Sequence, residues 1–443
     1  MSNRLNHKSP ARARQCLRLI SGYAAFLSLG ITNTWANNLE GAWKGLWNKQ
    51  GDALPVTVIF EKSRSGYAGS FDSDQLQVVG IPFSGIQETN GKVHFVLQGD
   101  QSKTIFDGRV TGDTISGTFV DGTAIGTFDL TRTTVPAIGI RTRDVTFPDK
   151  DVTLGGTLLL PGRGGRYAAI VFLHGSGPEG RWANHYLAQK FAESGIAALI
   201  YDKRGVGQST GDWKATGFDG LADDAVAGVR YLQSQPEIDS HRIGIYGHSQ
   251  GGTIAPLVAT RAVDLRFVIA SAACGLSPAD CEVYSVENSI GVPGLPPTER
   301  TDAQRYVRTL VDVAYRGKDR ESLDALASGF KGRAWFFAPP PPDDSYWAIS
   351  RSIAGFNPAN YWRQVRAPVL LLYGAHDERI PPVPSANGIR DALDAGGNRQ
   401  VSLKTFANAD HTFTIVYPPH QTGWTRHVPD YAEILTHWVL SLN

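Results

Sequence analysis

The chain has 443 residues, of which 42% are hydrophobic, 10% aromatic and 19% charged, and its formal net charge is +1. This composition is typical of a globular protein and excludes intrinsic disorder, while the length predicts two folding units and a processed segment. Because the charge is near zero and no long basic or acidic run is present, we expect no nucleic-acid partner.

The first 36 residues have the pattern of a secretory signal peptide. Five basic residues precede an apolar stretch from Leu19 to Ile31, and Thr34-Trp35-Ala36 ends with a small residue at the cleavage point. A membrane anchor is the alternative, but serine and glycine interrupt this stretch, which is shorter than the roughly 20 residues of a spanning helix. We therefore expect residues 1–36 to be removed. The mature protein is expected in the periplasm or outside the cell, with no stable membrane span.

Residues 37–135 have short segments in which apolar and polar residues alternate. Turn residues separate them every eight to twelve positions, and examples are the segments at 56–60, 92–97 and 114–119. This period of two predicts antiparallel strands that form a small β-barrel or β-sandwich. The alternating apolar face is interpreted as a core and not as a ligand site.

A linker near residues 133–142, which contains Pro136, leads into the second unit, residues 144–443. Strand-like and helix-like segments alternate in this unit, which predicts a mostly parallel sheet with helices on both faces. Its predicted strands are short and apolar, and they lie at residues 167–173, 197–201, 242–246, 267–272, 369–373 and 400–405.

The strand pattern stops between residues 276 and 365, where polar helical sequence and a proline run appear. An insertion between two strands predicts a lid over the strand ends. Its aromatic residues either line an apolar substrate pocket or pack the lid onto the sheet, and they are Trp335, Phe336, Phe337, Tyr346, Trp347, Phe356, Tyr361 and Trp362.

Three cysteines occur in the chain, and Cys16 would leave with the signal peptide. Cys274 and Cys281 are seven residues apart at the start of the insertion. In an oxidising compartment they would form a local disulfide, whereas two buried free thiols fit the sequence almost as well.

The segment Gly247-His248-Ser249-Gln250-Gly251 matches the nucleophile elbow, in which small residues allow a sharp turn that exposes the serine hydroxyl. A second match surrounds Ser209. Only Ser249 directly follows an apolar strand-like run, Ile243-Gly244-Ile245-Tyr246, and precedes a helical one, as the motif requires. We therefore predict Ser249 as the nucleophile and Ser209 as a turn or cap residue in a loop.

A serine hydroxyl needs an imidazole to accept its proton and a carboxylate to orient that imidazole. Asp377 follows the predicted strand at 369–373 and is the candidate acid, with Glu378 as its alternative. His411 follows the next strand and is the candidate base. The competing histidines and a neighbouring acid are interpreted as surface, packing or turn residues, and they are His376, His420, His437 and Asp410.

Acyl transfer also places negative charge on a carbonyl oxygen, which needs N–H donors. The segment Leu173-His174-Gly175-Ser176-Gly177-Pro178 follows a strand and suits the first donor, Ser176. The residue after the nucleophile, Gln250, suits the second. The alternative is that these glycines serve only as turn formers.

Residues 144–443 resemble the α/β-hydrolase superfamily, and the esterase-like serine hydrolases in particular. The matching segments occur in the family's order and are 174–177, 201–209, 247–251, 374–377 and 410–411. The resemblance implies an α/β-hydrolase fold, which is a mostly parallel sheet flanked by helices, with a helical lid at 276–365. It also implies that the segment around Ser209 is the family's structural loop. No metal or organic cofactor is implied.

The resemblance further implies a Ser-His-Asp hydrolase that cleaves esters, thioesters or amides through an acyl-enzyme. A carboxylesterase acting on small-molecule acyl substrates is the first hypothesis. A prolyl-oligopeptidase-like peptidase or a thioesterase is the alternative, although the β-rich segment is too short for a propeller. A non-catalytic binding protein on the same fold, with the β-rich unit as its adhesive part, is the second alternative; the presence of Ser249, Asp377 and His411 argues against it.

Overall fold

The structure, a computed structural model, describes residues 38–64, 66–98, 103–134, 139–162, 164–262, 264–417 and 423–442. The expected signal peptide, Cys16, Pro136 of the linker and His420 therefore lie outside the described residues. No helix formed by the described residues combines the length and the apolar character needed to cross a membrane.

The amino-terminal unit is a closed antiparallel barrel of eight strands. This confirms the predicted β-rich domain and decides between a barrel and a sandwich, because β1 pairs with both β2 and β8. The strands are β1 (Gly41–Lys49), β2 (Asp52–Ser63), β3 (Gly66–Ser73), β4 (Val78–Thr89), β5 (Lys92–Gln98), β6 (Lys103–Thr111), β7 (Thr114–Asp121) and β8 (Ala124–Thr133).

Aromatic side chains fill the interior of the barrel. Alternate residues of each strand point inward, so the period of two seen in the sequence places one face of every strand in this core. The rings of Phe95 and Phe106 stack with centroids 4.6 Å apart, and the ring of Trp47 lies 4.7 Å from Phe106. The barrel interior is thus a packed core.

The second unit contains an eight-stranded sheet with the strand order β16-β15-β14-β13-β11-β12-β10-β9. The six strands from β16 to β12 in this order are parallel. At one edge, β10 pairs antiparallel with β12, and β9 pairs antiparallel with β10. The strands are β9 (Ile140–Asp149), β10 (Val152–Pro161), β11 (Tyr167–Leu173), β12 (Ala197–Tyr201), β13 (Ile238–His248), β14 (Phe267–Ser271), β15 (Val369–Gly374) and β16 (Val401–Phe406). The mostly parallel sheet is confirmed, and it begins at Ile140, ahead of the predicted start at residue 144.

Helices cover both faces of this sheet because its central strands are apolar on both sides. Val171 faces the layer that contains α2, α3 and α9, whereas its neighbour Phe172 faces α1 and α10. The helices are α1 (His185–Glu193), α2 (Gly217–Gln233), α3 (Gln250–Arg261), α4 (Pro278–Ser289), α5 (Pro297–Arg316), α6 (Arg320–Phe330), α7 (Ser345–Ile353), α8 (Pro358–Trp362), α9 (Pro382–Ala395) and α10 (Tyr431–Ser441).

Five helices, α4 to α8, lie in the insertion between β14 and β15. Helices α5 to α7 enclose a core of their own, in which Trp335 and Trp347 are buried. Trp362 is buried in the core of the sheet instead. Trp362 therefore packs the insertion onto the sheet, as one of the two interpretations of its aromatic residues expected, whereas Trp335 and Trp347 pack the insertion against itself. A disulfide between Cys274 and Cys281 joins the exit of β14 to α4 and decides between the two possibilities left open for these cysteines.

An ion network fixes the loop that follows β12. The guanidinium of Arg204 donates to both carboxylate oxygens of Asp224 at 2.7 Å and to Asp149 at 3.0 Å. All three side chains are buried. Because buried charges are costly without partners, this network ties the loop to α2 and to the end of β9.

We expect Arg204→Met to lower the free energy of unfolding by about 3–5 kcal/mol, because it leaves two buried carboxylates without their cation. Urea unfolding followed by circular dichroism measures the change. Arg399→Met is the matched control, since Arg399 pairs with Asp394 at the exposed surface and should cost less than about 1 kcal/mol. Equal losses for the two variants would contradict this role of Arg204.

Candidate active site

The residues expected from the sequence follow strands that end at the same edge of the sheet. Ser249 directly follows β13, Asp377 lies three residues beyond β15, and His411 lies five residues beyond β16. The carboxyl ends of parallel strands meet at one edge, where ligand sites of α/β proteins form. The fold thus brings together side chains that are 162 and 34 residues apart in sequence.

Three side chains form a hydrogen-bonded chain at this edge. The Nε2 atom of His411 lies 2.9 Å from the Oγ atom of Ser249. On the other side of the ring, Nδ1 lies 3.0 and 2.9 Å from the two carboxylate oxygens of Asp377. With the proton on Nδ1, this N–H group donates to Asp377. The lone pair of Nε2 can then accept the hydroxyl proton of Ser249. Both His411 and Asp377 are buried.

The Asp377 carboxylate is held in place by its own loop. Its Oδ1 atom accepts hydrogen bonds from the backbone N–H groups of Arg379 and Ile380, each at 2.8 Å. The hydroxyl of Tyr284, on α4 of the insertion, donates to the Asp377 carbonyl at 2.7 Å. Glu378, the alternative acid, is half exposed and lies beside Arg379 instead. The geometry therefore favours Asp377 over Glu378.

Ser249 occupies the sharp turn between β13 and α3. Its backbone has φ 55° and ψ −116°, a conformation that is unfavourable for residues with a side chain. The N–H of Ser249 donates to the carbonyl of Ser271, and its carbonyl accepts from Thr253, both at 2.9 Å. A Cβ atom at Gly247 would overlap the backbone of Gly251, so glycine is required there.

The two candidate oxyanion donors lie in segments that contact each other. Ser176 is exposed in the loop after β11, and Gln250 is the first residue of α3, where backbone N–H groups have no intrahelical acceptor. A Cβ atom at Gly251 would stand 2.8 Å from the carbonyl oxygen of His174. The loop after β11 is therefore packed directly against the elbow.

A buried lysine, Lys203, joins these two segments, and the sequence motifs did not indicate this role. Its ammonium donates to the carbonyls of Gly175 and Gly177 at 2.7 and 3.0 Å, and to Oε1 of Gln250 at 3.0 Å. An ammonium has three N–H donors, so each is used. Burial lowers the pKa of Lys203 to about 8. The sequence places Lys203 in the segment 201–209, which resembles the family's structural loop, but it does not indicate that this lysine contacts the elbow.

Two more side chains hold the loop after β11. The carboxylate of Glu179 accepts from the N–H of Gly175 at 2.7 Å. The Nε2 atom of His174 lies 2.6 Å from the Tyr201 carbonyl and donates to it. Burial lowers the pKa of His174 to about 4, so this histidine is neutral at neutral pH.

Ser209, the alternative nucleophile, and Asp410, the acid next to His411, make hydrogen bonds outside the chain formed by Ser249, His411 and Asp377. The hydroxyl of Ser209 donates to the Asp202 carbonyl at 2.6 Å and accepts from the N–H of Gly155 at 3.0 Å, so it is committed to holding its loop. Asp410 accepts from the backbone N–H groups of Thr412 and Thr414, as a turn-forming residue does.

Comparison with known proteins gives a family match and several related sequences. The sequence profile of the family described as serine aminopeptidase, S33, matches residues 165–309. Esterase EstD of Thermotoga maritima is 23% identical over 279 residues, which span 60% of this chain and 60% of EstD. The AB hydrolase superfamily protein YisY of Bacillus subtilis is 26% identical over 248 residues, 55% of this chain and 84% of YisY.

Among solved structures, an esterase of Pyrococcus furiosus is 19% identical and covers 69% of this chain and 91% of its own, with a TM-score of 0.44. The family match at residues 165–309 lies within the unit that contains the mostly parallel sheet and the elbow. Together with the two relatives, it confirms the resemblance that the sequence motifs indicated. The chain therefore contains an α/β-hydrolase, esterase-like segment, and this segment follows an amino-terminal β-barrel module.

Proposed function

We propose that this protein is a serine hydrolase of the carboxylesterase type, which cleaves esters of small acyl groups through an acyl-enzyme on Ser249. The observation that carries the proposal is the hydrogen-bonded chain from Asp377 through His411 to Ser249. The strained elbow backbone adds support, because strain of this kind is retained where it presents a reactive group. The name of EstD favours esters as the substrate class.

In the proposed mechanism, Oγ of Ser249 attacks the ester carbonyl carbon while Nε2 of His411 takes the hydroxyl proton. The carbonyl oxygen becomes an oxyanion that the N–H groups of Ser176 and Gln250 stabilise. His411 then returns the proton to the leaving alkoxide as the carbon–oxygen bond breaks. Water repeats the sequence on the acyl-enzyme and releases the carboxylic acid, and Asp377 stabilises the imidazolium in both steps.

A peptidase is the second candidate, because residues 165–309 match the serine aminopeptidase profile. The two activities share the chemistry of Ser249 and differ in the leaving group. Hydrolysis rates for p-nitrophenyl acetate and alanine p-nitroanilide, measured on the same preparation, separate them. A higher kcat/KM for the anilide would replace the esterase proposal with the peptidase one.

A fluorophosphonate should label Ser249 and abolish ester hydrolysis, because the reagent needs only an activated serine. Mass-spectrometric mapping identifies the modified residue. We expect Ser249→Ala to lose labelling and to lower kcat by roughly 10³-fold or more. Ser209→Ala, the matched control, should keep the label, because its hydroxyl is committed to Asp202 and Gly155. Label on Ser209 would overturn the assignment of the nucleophile.

Asp377→Asn should lower kcat by roughly 10³–10⁴-fold, because an amide does not stabilise the imidazolium or select the required tautomer. KM for p-nitrophenyl acetate should change little. Glu378→Gln removes the neighbouring carboxylate in the same loop and should leave kcat within about twofold, since that side chain lies against Arg379. A larger loss in Glu378→Gln than in Asp377→Asn would show that the acid was assigned wrongly.

We expect kcat for ester hydrolysis to decline at alkaline pH as Lys203 loses its proton. Its pKa of about 8 means that the ammonium is intact below pH 8, and above that pH the neutral amine donates only two of its three hydrogen bonds. The wild-type rate should therefore fall as pH rises through 8, measured by ester hydrolysis from pH 6 to 9.5. Lys203→Met should be slower and lack this decline, and Lys214→Met, at an exposed lysine, should keep it. An unchanged profile in Lys203→Met would contradict this role.

Export to the periplasm or to the outside of the cell is also a proposal. The Cys274–Cys281 disulfide supports it, because such bonds persist in oxidising compartments and are rare in the cytosol. Amino-terminal sequencing of the protein recovered from the periplasmic fraction tests cleavage after Ala36.

A further inference from the structure

The chain between β16 and α10 carries His411 and also reaches the β-barrel. We refer to its described residues, 407–417 and 423–430, as the histidine strap. His411 lies in the first part of the strap, next to Ser249. The second part lies against β1, β2 and the connection between β3 and β4.

Trp424 of the strap packs onto the aromatic core of the barrel. Its ring centroid lies 6.1 Å from that of Trp47 and 5.8 Å from that of Phe119. Its indole Nε1 donates to the carbonyls of Trp47 and Asp52 at 3.2 and 3.1 Å. The backbone N–H of Trp424 donates to the Asp52 carboxylate at 2.8 Å. This one side chain is thus fixed by both ring packing and hydrogen bonds.

Arg426 adds a second attachment two residues further on. Its guanidinium donates to both carboxylate oxygens of Asp52, at 2.8 and 2.6 Å, and to the Ala53 carbonyl at 2.8 Å. Its Nε donates to Oε1 of Gln75 at 2.6 Å. The hydrogen bond from Arg426 lowers the pKa of Asp52, so this carboxylate stays ionised at neutral pH. A bidentate pair of this kind fixes position as well as distance.

The anchored part of the strap is hydrogen-bonded to the part that carries His411. The N–H of Ile415 donates to the Arg426 carbonyl at 2.7 Å, and that of Val428 donates to the Phe413 carbonyl at 2.8 Å. Thr414 pairs with His427 in an antiparallel bridge. A continuous set of contacts therefore runs from Asp52 of the barrel to the residues directly after His411.

We propose that the β-barrel is a positioning element of the active site, which holds His411 at hydrogen-bond distance from Ser249 through Trp424 and Arg426 of the strap. This inference rests on the proposed function, in which His411 is the general base. It assigns the barrel a role other than adhesion, and it is consistent with a barrel interior that is a packed core. Displacement of a catalytic group by about 1 Å is enough to lower a rate by roughly 10²-fold.

The test uses the full-length mature protein and the variants Trp424→Ala, Trp424→Phe and Arg426→Gln. We expect Trp424→Ala and Arg426→Gln to lower kcat for p-nitrophenyl acetate tenfold or more while KM stays within about threefold. Trp424→Phe keeps the ring and should recover part of the loss. Arg426→Gln leaves the aromatic core intact, so it tests the positioning role of the barrel even if Trp424→Ala does not fold.

Lys190→Ala is the matched control. Lys190, on α1, pairs with Asp74 of the barrel at 2.8 Å. The substitution therefore removes a contact between the two units without changing a residue of the strap. Its kcat should stay within about twofold of wild type. An equal loss in Lys190→Ala and Arg426→Gln would overturn the proposal, because general loosening of the two units would then explain the effect.

Amide hydrogen exchange, measured by mass spectrometry, separates this inference from the proposed function. Exchange in residues 408–417 should become at least tenfold faster in Arg426→Gln and stay unchanged in Lys190→Ala. If wild type neither hydrolyses esters nor takes the label but the strap exchanges faster, anchoring stands and the esterase proposal fails. If wild type is active while kcat and exchange are unchanged in Arg426→Gln, the anchoring inference fails and the esterase proposal stands.

Discussion

The strained backbone of Ser249 is the constraint on which the rest of the site depends. A residue with φ 55° and ψ −116° is tolerated only where its neighbours over-determine it. Here β13 on one side, α3 on the other and the Ser271 carbonyl hold it in place. The turn directs the hydroxyl toward His411, and it places at the start of α3 the N–H group of Gln250 that is the proposed donor to a substrate oxygen.

Two sets of contacts hold the loop after β11 and the histidine strap beside Ser249. On one side, Lys203 uses all three of its donors to join the loop after β11 to Gln250. On the other side, the histidine strap is attached to the barrel through Trp424 and Arg426. Both use buried or half-buried hydrogen bonds to charged groups, which are stronger and more directional than neutral ones. The proposed chemistry therefore draws on both units of the chain.

Much of the fold and of the candidate site could be predicted from local patterns. Periods of two and runs of buried-strand residues indicated the barrel and the parallel sheet, because these periods follow directly from strand geometry. Ser249, Asp377 and His411 followed from motif order, since each comes just after a strand and strand ends share one edge. The same argument excludes the second match, at Ser209, because this residue lies several residues past β12.

The sequence by itself determined the six parallel strands of the sheet and the three residues of the hydrogen-bonded chain, because short-range spacing specifies both; it did not indicate β9 and β10. Only the tertiary structure decided that Lys203 bridges the loop and the elbow, that Cys274 and Cys281 are bonded, and that the barrel contacts the histidine strap. The physical reason is separation along the chain. Arg426 and Asp52 are 374 residues apart, and no local pattern in either segment encodes a contact whose geometry both folded units must create.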